Sequence, residues 1–205
     1  MSEAPRTARG RATRERIVVA AAALVRERGV AETSLDDVIE RAGASKSQLY
    51  LYFDGRAALL REVILHNAEL VLDAQEPHLG SLESWKAIRA WLDALVELQV
   101  AGAARGGCPV GSLVGQLAEA DERARHALAD SFARWEEPLR RGLRSMQQRG
   151  KLSRTANPVR LATATLAAIQ GGLVLTQSRR DPDQLALAVD AAYAHLRTHA
   201  RAARL

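Results

Sequence analysis

The sequence predicts an all-α fold. Residues that favour helices, chiefly Ala, Leu, Arg, Glu and Gln, dominate its 205 positions, whereas aromatic residues make up only 4%. Apolar side chains recur at helical spacing. The clearest stripe keeps one helix face apolar over about five turns, and it consists of Leu128, Phe132, Trp135, Leu139, Leu143 and Met146. Glycines and prolines separate the helical segments, which indicates about nine helices.

Breakers mark the helices in order along the chain. Gly29 and Gly43 end the first two helices, and Asp54-Gly55 is a turn signal before the fourth. Pro77 and Gly80 precede the fifth, and a glycine-rich stretch, 102–115, precedes the sixth. Pro138 lies inside the seventh and predicts a kink or a restart. The predicted helices span 13–28, 35–42, 46–53, 56–75, 82–101, 113–119, 122–149, 158–178 and 182–203.

The charge balance points to an anionic partner. The chain has 29 basic and 24 acidic residues, and only three of the basic ones are lysines. Arginine is always charged and binds phosphate through its forked guanidinium group. The excess is concentrated near the start, which predicts a flexible basic arm over residues 1–10 that contacts nucleic acid. A solvated tail is the open alternative.

The longest apolar run predicts a protein without a membrane span. It covers nine residues, Ile17 to Val25, whereas a spanning helix needs about 20. Arg14, Glu15 and Arg16 interrupt the pattern of a secretory signal before that run. We therefore expect a cytoplasmic protein with no membrane partner.

The reactive side chains do not form an enzyme site. Cys108 is the single cysteine, which excludes an intramolecular disulfide and the usual multi-cysteine zinc site. His195 and His199 are four residues apart, but no neighbouring Asp, Glu or Cys completes a metal site. The chain also lacks a phosphate-binding glycine loop and a nucleophile elbow. We expect no catalysis, no metal and no cofactor.

The second and third helices have the layout of a helix-turn-helix. Each is about eight residues long, and Gly43-Ala44 joins them. Ser34 with Asp37 and Ser45 with Gln48 have the spacing of capping boxes. This layout presents the third helix to solvent and assigns residues 11–57 to a three-helix head.

The exposed side of the third helix predicts DNA contact. Leu49 and Phe53 take the inward positions. The outward positions carry hydrogen-bonding groups and no acid: Ser45, Lys46, Ser47, Gln48, Tyr50 and Tyr52. Lys46 can reach guanine, and Gln48 either reads adenine or closes its capping box. The tyrosines either bind phosphate or pack against the first helix.

Three segments together resemble the DNA-binding domain of the tetracycline-repressor (TetR) family. They cover about residues 11 to 62 and are Thr33-Ser34-Leu35-Asp36-Asp37-Val38-Ile39, Ala42-Gly43-Ala44-Ser45-Lys46-Ser47-Gln48-Leu49-Tyr50-Leu51-Tyr52-Phe53 and Arg56-Ala57-Ala58-Leu59-Leu60. The resemblance implies a double-stranded DNA operator, with base-proximal roles for Ser45 to Gln48. It also implies phosphate contacts from Thr33, Tyr50, Tyr52 and Arg56, and contacts of Arg9, Arg11 and Arg14 with the backbone or minor groove.

Residues 58–205 are predicted to bind a ligand and to dimerise. By resemblance, the last two helices form a homodimer interface that sets two recognition helices about 34–36 Å apart on a palindrome. Its predicted residues are Leu161, Thr165, Leu166, Leu173, Leu185, Ala188, Val189, Ala192 and Leu196. The alternative is that these faces belong to the core of one chain.

A pocket for a small inducer is expected among the central helices. Three tryptophans and Phe132 cluster there with the glycine-rich stretch, although bulky residues are more often core than lining. Without a compact charge cluster, the ligand is expected to be apolar or weakly polar. The predicted lining residues are Trp85, Ile88, Cys108, Leu113, Gln116, Leu117, Phe132, Trp135, Ile169 and Gln170.

These observations predict a dimeric repressor that leaves its operator when the ligand binds. One alternative is a helical DNA-binding protein that acts without a ligand, architecturally or as an activator. Another is redox sensing through Cys108. A module that binds a second protein is disfavoured, because its third helix would carry charges of both signs.

Overall fold

The computed structural model describes residues 7–201, and that part of the chain forms nine α-helices and no strand. A single 3-10 turn lies at His78–Ser81. The helices are α1 (Ala8–Arg28), α2 (Leu35–Ala42), α3 (Lys46–Tyr52), α4 (Gly55–Asp73), α5 (Trp85–Ala101), α6 (Gly111–Leu117), α7 (Glu122–Gln148), α8 (Pro158–Arg179) and α9 (Asp183–Thr198). The predicted all-α fold is confirmed.

Helix α1 begins earlier than predicted. The Thr7 hydroxyl caps it by accepting the Gly10 N–H at 3.1 Å, so the helix starts at Ala8 rather than near Thr13. Residues 8–10, expected in a flexible arm, are therefore helical, and residues 1–6 of that arm lie outside the described residues. Gly29 ends the helix with a φ of 86°, a conformation that favours glycine.

Both predicted capping boxes are present. At the start of α2, the Ser34 hydroxyl accepts the Asp37 N–H while the Asp37 carboxylate accepts the Ser34 N–H. Ser45 and Gln48 exchange the same pair of bonds at the start of α3. Gly43 ends α2 in the left-handed region, with φ 57°. These local bonds set the short turn of the helix-turn-helix.

Two boundaries in the second half differ from expectation. Helix α5 begins at Trp85 and not at Leu82, because the Ser84 hydroxyl accepts the Ala87 N–H and caps the helix there. Helix α7 continues through Pro138, so the predicted alternative of a restart is wrong. Proline removes one backbone donor, but the helix extends for more than two turns on each side of it.

The chain divides into two compact units. Unit 1 comprises the residues up to Val71 and Pro109–Ser131, and unit 2 comprises Leu72–Cys108 and the residues from Phe132. This division does not coincide with a boundary after residue 57. The core of unit 1 includes Ile17, Leu24, Leu49, Phe53, Leu59 and Ile64, and that of unit 2 includes Leu82, Ile88, Leu92, Leu139, Leu143, Val189 and Leu196.

Helices α8 and α9 pack against each other through the side predicted as a dimer interface. Gly172 permits the close approach, since a Cβ there would lie 2.9 Å from both the Ala188 Cβ and a Leu185 methyl carbon. Ala188 is half-buried, and the other predicted interface residues are buried within the chain: Leu161, Thr165, Leu166, Leu173, Leu185, Val189, Ala192 and Leu196. These side chains therefore belong to the core of one chain, the alternative that the sequence left open.

Helix α8 is apolar on both sides. Val174 and Leu175 are exposed on it, and so are several small residues. Within residues 7–201, it is the one helix long and apolar enough to cross a membrane by length and composition, with 44% of that window buried inside the protein. A core helix meets the same test, and α8 packs as a core helix against α9.

Candidate nucleic-acid interface and ligand site

The third helix presents a short face of polar and apolar side chains. Lys46, Ser47 and Tyr50 are exposed, with 52% of Tyr50 accessible. Leu51, which the sequence reasoning passed over, is 66% exposed. Because residues three and four apart share a helix face, Ser47 lies beside Tyr50 and Leu51. The result is a compact surface without acidic residues on α3.

The capping box uses the side-chain oxygen of Gln48 and leaves its NH₂ group unused by the box. The Gln48 Oε1 accepts the Ser45 N–H at 2.8 Å, while the Ser45 Oγ accepts the Gln48 N–H at 3.2 Å. Ser45 also shares a 2.9 Å hydrogen bond with the Ser47 hydroxyl. Of the two predicted roles of Gln48, the structure contains the cap, which leaves the Nε2 group as the amide donor on that side of the helix.

The two tyrosines occupy different environments. Tyr52 is half-buried and packs edge-on against Phe53, with ring centroids 6.4 Å apart. The Arg14 guanidinium lies 5.3 Å from the Phe53 ring and pairs with Glu62 at 2.7 Å. Arg14 therefore stabilises the head from α1, whereas about half of Tyr50 is exposed to solvent.

The Thr33 hydroxyl, predicted to contact a DNA phosphate, is used within the protein. Thr33 is buried, and its hydroxyl donates to the Gly29 carbonyl at 2.8 Å, so the hydroxyl is not free for a DNA phosphate. The Arg56 side chain binds the same turn, since its Nε donates to the Thr33 carbonyl at 3.3 Å and its Nη2 donates to the Val30 carbonyl. Arg56 remains exposed overall, and these two hydrogen bonds brace the turn between α1 and α2.

Asp37, in the first turn of α2, is held in a local cap. Hydrogen bonds from the Ser34 hydroxyl and backbone hold the pKa of Asp37 below its ordinary value, and Arg28 adds an attraction. Glu27 is likewise paired with Arg41 at 2.7 Å, and that contact lowers the pKa of Glu27. These pairings offset part of the negative charge of the head, which favours an anionic partner.

Gln116 belongs to unit 1 and contacts the turn that follows α1. It was predicted to line the ligand pocket, yet its Oε1 accepts the N–H of Val30 at the end of α1 at 2.7 Å, and its Nε2 donates to the Ser112 carbonyl at 2.8 Å. Asp121 makes a second link within unit 1 by pairing with Arg61 at 3.4 Å. Segment 109–131 is therefore anchored to α1 and α4.

The predicted ligand residues are divided between the two units. Unit 1 holds Leu113, Gln116 and Leu117, and unit 2 holds Trp85, Ile88, Cys108, Phe132, Trp135, Ile169 and Gln170. Within unit 2, the Gln170 amide contacts the buried Cys108 thiol at 3.6 Å. Ile88 and Ile169 are fully buried in the core, and Trp85 lies under the Arg197 guanidinium at 5.2 Å.

Unit 2 contains a cleft of about 270 Å³ beside α5. Gln75, which is only 4% exposed, lies at its base. The Oε1 of Gln75 accepts the indole N–H groups of both Trp91 and Trp135 at 2.9 Å. Trp91 lines the cleft, whereas Trp135 does not line it and contributes through its bond to Gln75.

Several lining residues escaped the sequence reasoning. Besides Gln75 they include Glu76, His78, Leu95, Glu97 and Leu98. The contact between Gln75 and Trp135 joins positions 60 residues apart, and no local pattern signals such a pairing. The two carboxylates also lie 21 positions apart, so the sequence shows no charge cluster where the fold brings them to one cleft.

Comparisons with known proteins agree with this architecture. Residues 17–63 match the family described as bacterial regulatory proteins of the tetR family. Residues 84–191 match the C-terminal domain of transcriptional regulators similar to LmrA and YxaF. A helix-turn-helix-type transcriptional regulator of Mycobacterium tuberculosis is 32% identical over 174 residues, covering 82% of this chain and 86% of the relative.

Other similar proteins extend the comparison. A helix-turn-helix-type regulator of Bacillus subtilis, YxaF, is 26% identical over 177 residues, covering 85% of this chain and 90% of its own. The crystal structure of a TetR transcriptional regulator from Chloroflexus aurantiacus has a TM-score of 0.80 at 23% identity, covering 96% of this chain and 100% of its own. That likeness shows the fold.

The fold and the exposed third helix define a helix-turn-helix DNA-binding protein. The chain belongs to the TetR family of bacterial transcriptional regulators. The resemblance drawn from the sequence is therefore confirmed, and this is a family of regulators rather than enzymes.

Proposed function

We propose that this regulator is a cytoplasmic repressor that binds a palindromic operator as a homodimer and dissociates from it when a small ligand binds. The exposed face of α3 carries the proposal, because it combines one cation, two hydroxyls and an apolar side chain with no acid. Hydroxyl and cationic groups bind phosphates and base edges, so such a face suits a major groove.

Each exposed side chain has a proposed contact. Lys46 reaches a guanine edge or a phosphate, and the Tyr50 hydroxyl donates to a phosphate oxygen. Ser47 and the Nε2 group of Gln48 face the base edges. Leu51 contacts a thymine methyl group, the apolar feature of the major groove. A Leu51→Ala variant is then expected to lose its preference for thymine at one operator position.

Further contacts lie around this face. Arg11 on α1 and the exposed part of Arg56 on α4 are proposed to meet the DNA backbone. Tyr52 contributes through its position next to Phe53, which supports the helix from within. Thr33 orders the turn through its internal hydrogen bond and does not offer its hydroxyl.

A homodimer is proposed through the outward sides of α8 and α9. Val174 is 63% exposed and Leu187 is 66% exposed. Around them lie small exposed residues that permit close helix packing: Thr163, Ala164, Ala167, Gly171, Ala191 and Ala194. Large apolar side chains surrounded by small ones suit a self-complementary two-fold interface. This face replaces the inward one predicted from the sequence.

Ligand release is proposed to act through α4. The first turn of this helix carries Arg56, whose side chain binds the loop before α2. The helix ends two residues before Gln75, which lines the cleft. If the ligand binds more tightly to one position of α4 and DNA binds more tightly to another, ligand binding lowers the affinity for DNA. Full release requires about 5.5 kcal/mol of differential binding.

The other sequence-based alternatives have less support. Cys108 is buried and contacts Gln170, an environment that shields a thiol from oxidants. A DNA-binding protein that acts without a ligand differs from the proposed repressor in one observable respect, because no small molecule would change its DNA affinity.

DNA titration tests the proposal directly. The full chain is titrated at two salt concentrations against DNA from its own upstream region and against unrelated DNA of equal length. We expect tight binding to the upstream DNA alone, weakened by Tyr50→Ala and by Lys46→Ala. If Lys46 meets a phosphate, its loss lowers the salt slope by about one.

Lys86→Ala is the matched control, because Lys86 is an exposed lysine on α5 in unit 2. It removes the same charge and is expected to leave operator binding unchanged. Equal affinity for both DNAs, lost at moderate salt, would contradict the repressor proposal for this operator region.

A further inference from the structure

The cleft beside α5 has apolar walls. Trp91, Leu95 and Leu98 supply them, and the small residues Ala94 and Ala101 leave the space open. A cleft of about 270 Å³ lies near the lower end of small-molecule sites. Its walls favour a compact ligand with an apolar body.

The indole ring of Trp91 is held in place by a hydrogen bond beneath the cleft. The Trp91 indole N–H donates to Gln75 and is therefore already used on the protein side. Trp135 donates to the same oxygen, so that Gln75 holds two indole rings at once. Trp91 is only 2% exposed, so its ring forms the rigid floor of the cleft rather than an open aromatic face.

The charges at the cleft are negative although the chain is positive overall. Glu76 and Glu97 line it and are exposed, and neither carboxylate has an ion-pair or hydrogen-bond partner among residues 7–201. The cleft lining contains no lysine and no arginine. Several other carboxylates of unit 2 are paired, among them Glu83 with Arg149 and Asp190 with Arg89.

We propose that this cleft binds an organic cation with a compact apolar or aromatic body. The carboxylates of Glu76 and Glu97 attract the positive charge, and Leu98, the exposed member of the apolar walls, covers the apolar part. An anion would be repelled by the same carboxylates. The inference rests on the proposed function, because it names the chemical class of the ligand that releases the repressor, and it replaces the expected apolar or weakly polar ligand.

A matched pair of probes tests the charge requirement. The cation is (4-hydroxymethylphenyl)trimethylammonium, and its neutral counterpart is 4-tert-butylbenzyl alcohol, which has the same shape. Binding to the full chain is followed by tryptophan fluorescence and by calorimetric titration. We expect the cation to bind at least about tenfold more tightly, because it alone gains the attraction of the two carboxylates.

Variants assign the binding to this cleft. Glu76→Gln with Glu97→Gln is expected to weaken cation binding about tenfold and to leave the neutral probe unaffected. The control, Glu119→Gln with Asp130→Asn, removes the same charge from exposed positions in unit 1 and is expected to leave both affinities unchanged. Equal binding of the two probes, or an equal loss in the control, would overturn the proposal.

Operator binding separates this inference from the proposed function. Cation binding that depends on both glutamates but leaves the operator bound supports the cation site and contradicts ligand release. Release of the operator by another small molecule, without cation binding, supports the repressor and overturns the cation site. Release by the cation that is lost in the double glutamine variant supports both.

Discussion

Gln116 joins α6 to the turn after α1, two parts of unit 1 that are 86 positions apart in the chain. Its side chain accepts the backbone N–H of Val30, directly after Gly29, where α1 ends and the chain turns toward α2. A Cβ on Gly29 would lie 3.2 Å from the Gln116 Oε1, which shows how closely α6 approaches this turn. A single amide thus anchors α6 to the base of the helix-turn-helix.

Gln116→Ala is expected to lower the free energy of unfolding by about 1 kcal/mol, because the part-buried Val30 N–H loses its acceptor. Urea denaturation of the full chain measures the change. Gln116→Glu retains an acceptor oxygen and is expected to keep most of the stability. An alanine variant as stable as the parent would show that the hydrogen bond contributes nothing measurable.

At the scale of elements, α7 packs closely against the segment before α5 through Gly142. A Cβ at this position would lie 1.9 Å from the Leu82 carbonyl oxygen and 2.6 Å from its carbon. These are backbone atoms, which cannot move aside as the end of a flexible side chain can. Only glycine permits this contact, although alanine is the better helix former.

Gly142→Ala is therefore expected to destabilise the protein by about 3 kcal/mol, because the methyl group overpacks a fully buried contact. Thermal and urea unfolding give the measurement. Gly115→Ala serves as the control, since a Cβ there meets no atom within 4 Å. That change is expected to stabilise α6 by about 0.5–1 kcal/mol. Similar stability of the two variants would contradict the close contact at Gly142.

The N-terminus of α7 has a pH-dependent cap. The Asp121 carboxylate accepts the N–H groups of Ala124 and Arg123 and pairs with Arg61. The Ala124 bond first, then the Arg123 bond and the Arg61 charge, hold the pKa of Asp121 below 3.8, its ordinary value. The stabilisation is present above the unfolded pKa and is lost as the pH falls through the lower folded pKa.

Asp121→Asn retains a capping oxygen but removes the charge. At pH 7 this variant is expected to be less stable than the parent by about 0.5 kcal/mol. The difference should shrink below about pH 4 as the parent carboxylate becomes protonated. Urea denaturation of both proteins at several pH values measures it. A difference that stays constant into acid would assign the effect to packing rather than to charge.

At the scale of the whole molecule, the proposed operator complex depends on two chains. Leu187 lies on the outward side of α9 and Val174 on that of α8, and each is more than 60% exposed. In the proposed dimer, a charge placed there would have to be buried between subunits. The same substitution at an exposed position elsewhere would remain in water.

Leu187→Glu is expected to convert the dimer to monomers, measured by sedimentation, and to weaken operator binding at least about tenfold. Val100→Glu, at a residue of α5 that is 59% exposed, is the control and should leave both properties unchanged. A Leu187→Glu protein that remains dimeric would contradict this interface and show that the subunits meet through another surface.

Much of the fold was predictable because its signals are local. Ser34, Gly43 and Ser45 define the caps and the turn of the helix-turn-helix through bonds within a few residues. The stripe of α7 and the exposure of Tyr50 followed from helical spacing in the same way. The early start of α1 depends on the cap from Thr7, whose hydroxyl accepts the Gly10 N–H, whereas the apolar pattern of the helix begins only at Ile17.

The sequence by itself determined the helical class, the helix-turn-helix and the surface of α3, since caps, breakers and periodicity act within one helix. Only the tertiary structure decided which side of α8 and α9 is buried, because small and apolar residues occur on both sides of α8 and continue onto α9 at Leu187, Ala191 and Ala194. It also decided the inward bond of Thr33 and the cleft around Gln75. Such contacts join residues far apart in the chain, so they depend on how the helices pack rather than on any local pattern.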